Sequence, residues 1–205
     1  MSTGTVGVQD TIRGCLEEAA RIHTQLSREA LEAIAQAADV MTAAIRQGRK
    51  VIWFGNGGSA TQSQHMAAEF VGRFVKERRA LPSIALTENV ASITAIANDY
   101  AYDQIFVRQL EGLSQQGDVA IGLSTSGSSP SVLAGLERAR QLGLRTIGMT
   151  GMLGDKMRPV CDLVIVVPTK ETARIQEAHL TIGHVFCGLV EDALTRHGFS
   201  VSRES

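Results

Sequence analysis

The 205-residue chain is 44% hydrophobic and carries 20 Lys and Arg against 21 Asp and Glu, a formal charge of -1. That length buries a sizeable core in one α/β domain, while the even charge balance lacks the basic footprint that neutralising nucleic-acid phosphates requires. Cys15, Cys161 and Cys187 are odd in number and widely spaced without a CxxC, which argues against a disulfide framework and fits a reducing cytosol; with no apolar run of about 20 residues and no leader pattern, the sequence predicts a soluble cytoplasmic protein with no membrane partner.

In chain order, residues 1–8 are rich in Ser, Thr and Gly and read as a flexible end, as do residues 199–205. From Asp10 to about Leu26, apolar Ile12, Leu16, Ala19, Ala20 and Ile22 recur at helical spacing, and Ser27 can cap a second helix that Gly48 stops near Gln47. Two helices before the first strand exceed what covering a sheet needs, so one of them is expected to pack against another subunit. Val51 to Phe54 suits a strand buried on both faces, and Asn56, Gly57, Gly58 and Ser59 allow a sharp reversal into a helix. The free amides and positive dipole end of that helix form a site for an anion such as a phosphate. His65 and Glu69, four residues apart, share one helix face, with Arg73 continuing the row, and Lys76 to Arg79 reads as a solvated helix end.

Leu81-Pro82 breaks the pattern, and Ser83 to Leu86 is a short second strand. A helical region over 89–113 is interrupted at Asn98-Asp99-Tyr100. Val119 to Leu123 is a third strand; it runs into Ser124-Thr125-Ser126-Gly127-Ser128-Ser129, and Pro130 suits the first turn of the next helix. Arg145 to Met149 is a fourth strand, Gly151 to Pro159 a loop and Leu163 to Val167 a fifth strand. The last helix runs from about Glu171 to His197, where Gly198 ends it.

Strands alternating with helices, each strand a continuous apolar run, predict a five-stranded parallel sheet in a three-layer α/β/α sandwich with extra N-terminal helices. In a flavodoxin-like order, 2-1-3-4-5, the loops after the first and third strands flank the topological switch point, where open sheets bind ligands. Those are the NGGS and STSGSS loops. Neither a GxGxxG nor a Walker motif is present, which argues against nucleotides; hydroxyls of Ser59, Ser124, Ser126 and Ser129 with backbone amides suit a phosphate instead.

The bland readings are a surface i,i+4 pair for His65 and Glu69, and a cap or turn for Asn98 and Asp99; in a cleft, Asp99 could serve proton transfer or bind sugar hydroxyls. On the last helix Gln176 and His184 lie about 80° apart and can face one side, whereas His179 is rotated by about 140° from His184 and points elsewhere. From residue chemistry alone Gln176 has no assigned function.

The segments GNGGSATQSQHMAAE at 55–69, AIANDY at 95–100, STSGSS at 124–129 and RIQEAHLTIGH at 174–184 resemble the sedoheptulose 7-phosphate isomerases, also called phosphoheptose isomerases, which are single SIS (sugar isomerase) domains. The likeness spans most of the chain, so residues 1–205 are read as one SIS domain. It departs at Thr61-Gln62-Ser63, where smaller or acidic residues are expected. The resemblance implies a homotetramer with sites near subunit interfaces, and aldose–ketose isomerisation of sedoheptulose 7-phosphate to D-glycero-D-manno-heptose 7-phosphate, an early step towards the heptose of bacterial surface polysaccharides. By position it implies one zinc per subunit held by His65, Glu69, Gln176 and His184, with Glu69 and His184 as the acid/base pair. It places substrate contacts at Asn56, Gly57, Gly58, Glu69, Asn98, Asp99, Ser124, Thr125, Ser126, Ser129 and Gln176, to which the residue reading adds Ser59. The alternatives are a non-catalytic SIS protein that binds the bacterial replication initiator, a sugar-phosphate sensor, and an isomerase of arabinose 5-phosphate. The first group lacks a matching acid and base, whereas Glu69 and His184 are both present; the last usually carries appended regulatory domains.

Overall fold

The computed structural model describes residues 7–196. The expected flexible ends therefore fall largely outside the described residues, as does the end of the last helix at Gly198; Val8, placed in the loose end, instead begins a helix.

Five parallel strands, β1 (Val51–Gly55), β2 (Ser83–Ala85), β3 (Val119–Ser124), β4 (Arg145–Gly151) and β5 (Leu163–Val167), form one sheet in the order β2-β1-β3-β4-β5. Among the described residues seven α-helices surround it: α1 (Val8–Thr24), α2 (Arg28–Arg46), α3 (Gly58–Val71), α4 (Val90–Asp99), α5 (Val107–Leu113), α6 (Pro130–Gln141) and α7 (Thr172–Thr195). Successive side chains of a strand point to opposite faces, and the core divides accordingly. Val51 and Trp53 pack with Ile22 and residues of α2, α3 and α7, while Ile52 and Phe54 pack with Phe106, Leu110, Val132 and Leu136 on the other face. This is the three-layer sandwich expected from the apolar runs.

Local signals account for several boundaries. Ser27 Oγ accepts a hydrogen bond from the Ala30 N–H and caps α2, Gly48 follows it at φ 74°, and Pro130 opens α6. The interruption in the 89–113 region lies later than expected: Asn98 and Asp99 still belong to α4, and a 3₁₀ turn at Tyr102–Gln104 separates it from α5.

Two expectations on α3 are corrected. The helix ends at Val71, so Arg73 does not continue the His65–Glu69 row; its Nε lies 3.8 Å from Glu77 on the exposed surface. Nor is Lys76 to Arg79 a solvated helix end. Arg78 is buried, and its Nε donates to Glu191 Oε1 at 3.0 Å. A lone buried guanidinium is too costly to keep, so the carboxylate from α7 decides where this segment lies.

Candidate functional site

Register brings the two loops together. Gly55 is level with Leu123 in the parallel pairing of β1 and β3, so both strands deliver their loops at the same carboxyl edge. Gly57 turns the chain into α3 at φ 56°, a conformation costly for side chains with a Cβ. Beside it, a cleft of about 380 Å³ is lined by Asn56, Ser129, Pro130 and Ser131 together with Ala101, Tyr102 and Asp103. Asn56 and Ser129 thus face one space, as expected at the switch point. Asn56 Nδ2 donates to Ser131 Oγ at 2.9 Å, and the Tyr102 hydroxyl donates to Asn56 Oδ1 at 3.1 Å. Tyr102 escaped the sequence reading because it lies just past the AIANDY segment; its neighbourhood to Asn56, 46 positions away, has no local signal.

Within the hydroxyl loop, Ser124 Oγ donates to Ser129 Oγ at 3.1 Å, and the Ser128 N–H and hydroxyl both reach Ser126 Oγ. Gly127 takes φ 64° at the tip. The Thr125 carbonyl accepts from the Gly151 N–H and ties the loop to β4. Ser59 is buried at the start of α3, close to Gly55. Asn98 and Asp99 are exposed at the end of α4, where Asn98 Nδ2 donates to Asp99 Oδ1 at 2.8 Å. No contact places that pair with the donor cluster described next.

Further along, α3 and α7 pack against each other. Gly183 faces the Met66 side chain across that contact, and a Cβ there would displace it. Flanking that contact, His65 Nε2 lies 3.0 Å from His184 Nε2 and 3.5 Å from Glu69 Oε1. One donor atom from each of His65, Glu69 and His184 falls within 4.8 Å of the others. Two nitrogens bound 2.0–2.1 Å from a tetrahedral ion are separated by roughly 3.3 Å. The spacing and the two-imidazole, one-carboxylate chemistry therefore fit a zinc-sized cation.

Gln176 lies against the glycine turn, where a Cβ on Gly58 would stand 2.5 Å from its Nε2; the donor group lies about two turns further along both α3 and α7. Gln62 Nε2 donates to the Gln176 carbonyl at 2.5 Å, giving one of the three departing positions a structural task. Of the residues expected at the site, the structure brings His65, Glu69 and His184 into one group, sets Gln176 against the glycine turn, and places Asn56 and Ser129 on one cleft.

His179 faces away from the donors, as its helical phase requires. It is buried, with the Thr150 backbone near its ring but no well-formed hydrogen bond to either nitrogen. Burial pushes its pKa down to about 4, and the nearby Thr150 backbone offsets this only in part. Between about pH 6.5 and 4 the unfolded chain takes up a proton that the native protein refuses, so acid favours unfolding across that window, by about 3 kcal/mol at 1.36 kcal/mol per pKa unit. Urea melts at pH 7 and pH 4.5 are expected to show this loss, and His179→Leu to flatten it.

Known proteins match this architecture and its parts. The SIS domain family profile matches residues 16–151. Phosphoheptose isomerase of Rhodospirillum rubrum is 50% identical over 187 residues, covering 91% of this chain and 99% of the relative. The solved structure of phosphoheptose isomerase GmhA from Neisseria gonorrhoeae superposes with a TM-score of 0.85 at 33% identity, covering 91% of this chain and 100% of that one. A phosphoheptose isomerase from Francisella tularensis gives 0.86 at 34% identity, with 91% and 99% covered. Sequence identity along nearly the whole chain and close superposition on two solved structures agree, and the chain belongs to the phosphoheptose isomerases, within the SIS domain family.

Proposed function

We propose that the protein interconverts sedoheptulose 7-phosphate and D-glycero-D-manno-heptose 7-phosphate, an early step in making bacterial heptose. The observation that carries this reading is the meeting of His65, Glu69 and His184 between α3 and α7, in a chain that also brings its NGGS and STSGSS loops to one carboxyl edge of the sheet. The phosphate is held by amides of the glycine turn and by Ser124, Thr125, Ser126 and Ser129, with Ser59 supporting the turn. Asn56, Asn98 and Asp99 bind sugar hydroxyls. Anchoring the phosphate orients the far, reacting end of the sugar.

At that end Glu69 takes the proton from C1 of the ketose and returns it to C2, while His184 moves a proton between the two oxygens. The C1–H electron pair becomes the carbon–carbon double bond of the enediol, and the reverse shift creates the aldehyde, so no oxidant or reductant is needed. His65, Glu69 and His184, joined by Gln176 on the family pattern, would hold a zinc ion, which would supply charge stabilisation to the carbonyl oxygen. The reading extends to one SIS domain over residues 1–205, a cytoplasmic location and a homotetramer. Val8, Ile12 and Leu16 recur every four residues on α1 and are exposed in the single chain, which supports subunit packing there. Among the described residues no helix is long and apolar enough to cross a membrane.

The test is a product assay with sedoheptulose 7-phosphate on purified protein; a folded, zinc-loaded sample without turnover overturns the reading. Chelation should remove activity and added zinc restore it, followed by metal analysis of the same samples. Activity that persists in metal-depleted protein would rule out the zinc assignment.

A further inference from the structure

A buried ion pair outside the donor set is coupled to His184 through one short segment. After α3 ends, residues 72–78 continue without helix or strand along the side of α7. The N–H groups of Phe74, Val75 and Lys76 donate to the Glu191 carboxylate at 3.2, 2.9 and 2.7 Å. Arg78 Nε completes the carboxylate's partners at 3.0 Å, and the side chains of Arg78 and Glu191 are only 2% and 1% exposed. From the other end of the guanidinium, Nη1 donates to the Phe70, Gly72 and Arg79 carbonyls and Nη2 to the Glu69 carbonyl at 2.9 Å. One carboxylate therefore fixes three consecutive amides, and its cation grips the backbone of Glu69.

The segment so fixed carries Phe74. Its ring stacks on the His184 imidazole with centroids 5.5 Å apart and planes inclined by 16°. Gly188, one turn further along α7, lies under the same ring: a Cβ there would stand at ordinary contact distance, 3.8 Å from Phe74 Cε1. His65 meets the same imidazole edge-on, at 5.2 Å and 73°. The terminal torsion of a histidine is broad and roughly two-fold, so packing has to choose the plane in which Nε2 points. Phe74 supplies that packing on one face. A buried ion pair gives little stability over well-packed apolar residues, but its directed hydrogen bonds fix the path of a chain that has no helix or strand to follow.

We propose that Phe74 is a positioning residue for His184, and that the Glu191–Arg78 pair is the clasp that holds it in place. The kinetic consequence rests on the isomerase reading; the geometric one does not. The test compares wild type, Phe74→Leu, Phe74→Tyr and Glu191→Gln, with kinetics on sedoheptulose 7-phosphate and the His184 ring-proton resonances read on the same samples without substrate. In Phe74→Leu, kcat should fall by about tenfold or more with KM nearly unchanged, as expected for a misaimed acid/base group, and the His184 resonances should move out of the ring-current shielding of the stack. Phe74→Tyr keeps the ring and should restore both. Glu191→Gln should shift the resonances in the same direction as Phe74→Leu.

Wild-type kcat and unmoved resonances in Phe74→Leu overturn the proposal. A raised KM with unchanged kcat also overturns it, since it makes Phe74 a substrate contact. Wild-type behaviour of Glu191→Gln overturns the clasp. Phe74→Leu leaves the ion pair intact and stays measurable if Glu191→Gln does not fold. Lack of turnover by wild type sinks the isomerase reading, while the resonances still decide the stack.

Discussion

Glu69→Gln is expected to lower kcat by about 10²- to 10⁴-fold, the range that a positioned acid/base group contributes, with a much smaller change in KM. Glutamine matches the size of glutamate but cannot accept a carbon-bound proton at neutral pH. The glycine turn and the hydroxyl loop proposed to bind phosphate are untouched by the change, so substrate should still be held. Glu69 also stands 3.5 Å from His65 Nε2 within the group that fits a cation, so zinc content has to be measured beside the rate. Retained zinc with lost turnover assigns the effect to proton transfer, and lost zinc assigns it to ligation. A mutant with wild-type kcat removes Glu69 from the mechanism.

The second large effect concerns stability. Arg78→Met is expected to destabilise the fold by about 3–5 kcal/mol at pH 7, because it leaves the Glu191 carboxylate buried without its cation. Burial raises the pKa of Glu191, but the N–H groups of Lys76, Val75 and Phe74 and the Arg78 guanidinium outweigh it and hold the carboxyl below the usual carboxylate value of 4.5. A carboxyl lowered in the native state contributes stability that is fully present above its unfolded pKa and is lost as pH falls through the folded one. Removing the cation raises the folded value, so the deficit of Arg78→Met relative to wild type should be largest near neutrality and shrink below pH 4.5. Urea melts of both proteins from pH 7 to pH 3 check it. A deficit that stays constant, or grows in acid, would show that Arg78 acts through packing and not through the charge of Glu191.

The sheet was readable from the sequence because β1, β3 and β5 are largely apolar runs such as Val119 to Leu123, and because local breakers such as Gly48 and Pro130 stand where helices stop or start. The glycine turn and the hydroxyl loop announced themselves by composition. His65 and Glu69 were visible as a helical pair, but their partner was not: His184 lies 119 positions away. Its relevance came from resemblance, as did that of Gln176, an amide on a helix with no local distinction. Arg78 was misread for the same physical reason. In a run of Lys, Glu, Arg and Arg nothing local separates the one cation that is buried, since the deciding carboxylate is 113 positions on. Phe74 and Tyr102 act through contacts of that kind and left no trace in spacing or periodicity.

The separation of His65 from His184 also bears on how the protein is made. Of the described elements α7 comes last in chain order, and it brings His184, Gln176, Glu191 and Gly183 together with core residues from Ile175 to Leu194. A nascent chain still missing that helix has exposed its glycine turn and the His65–Glu69 pair, yet it lacks the other half of the donor group and the carboxylate that orders residues 74–76. Translation that stops before Thr172 should therefore yield an inert polypeptide with an open apolar face, recognisable to cellular proteolysis, and competence would arrive in a single step when the final helix docks.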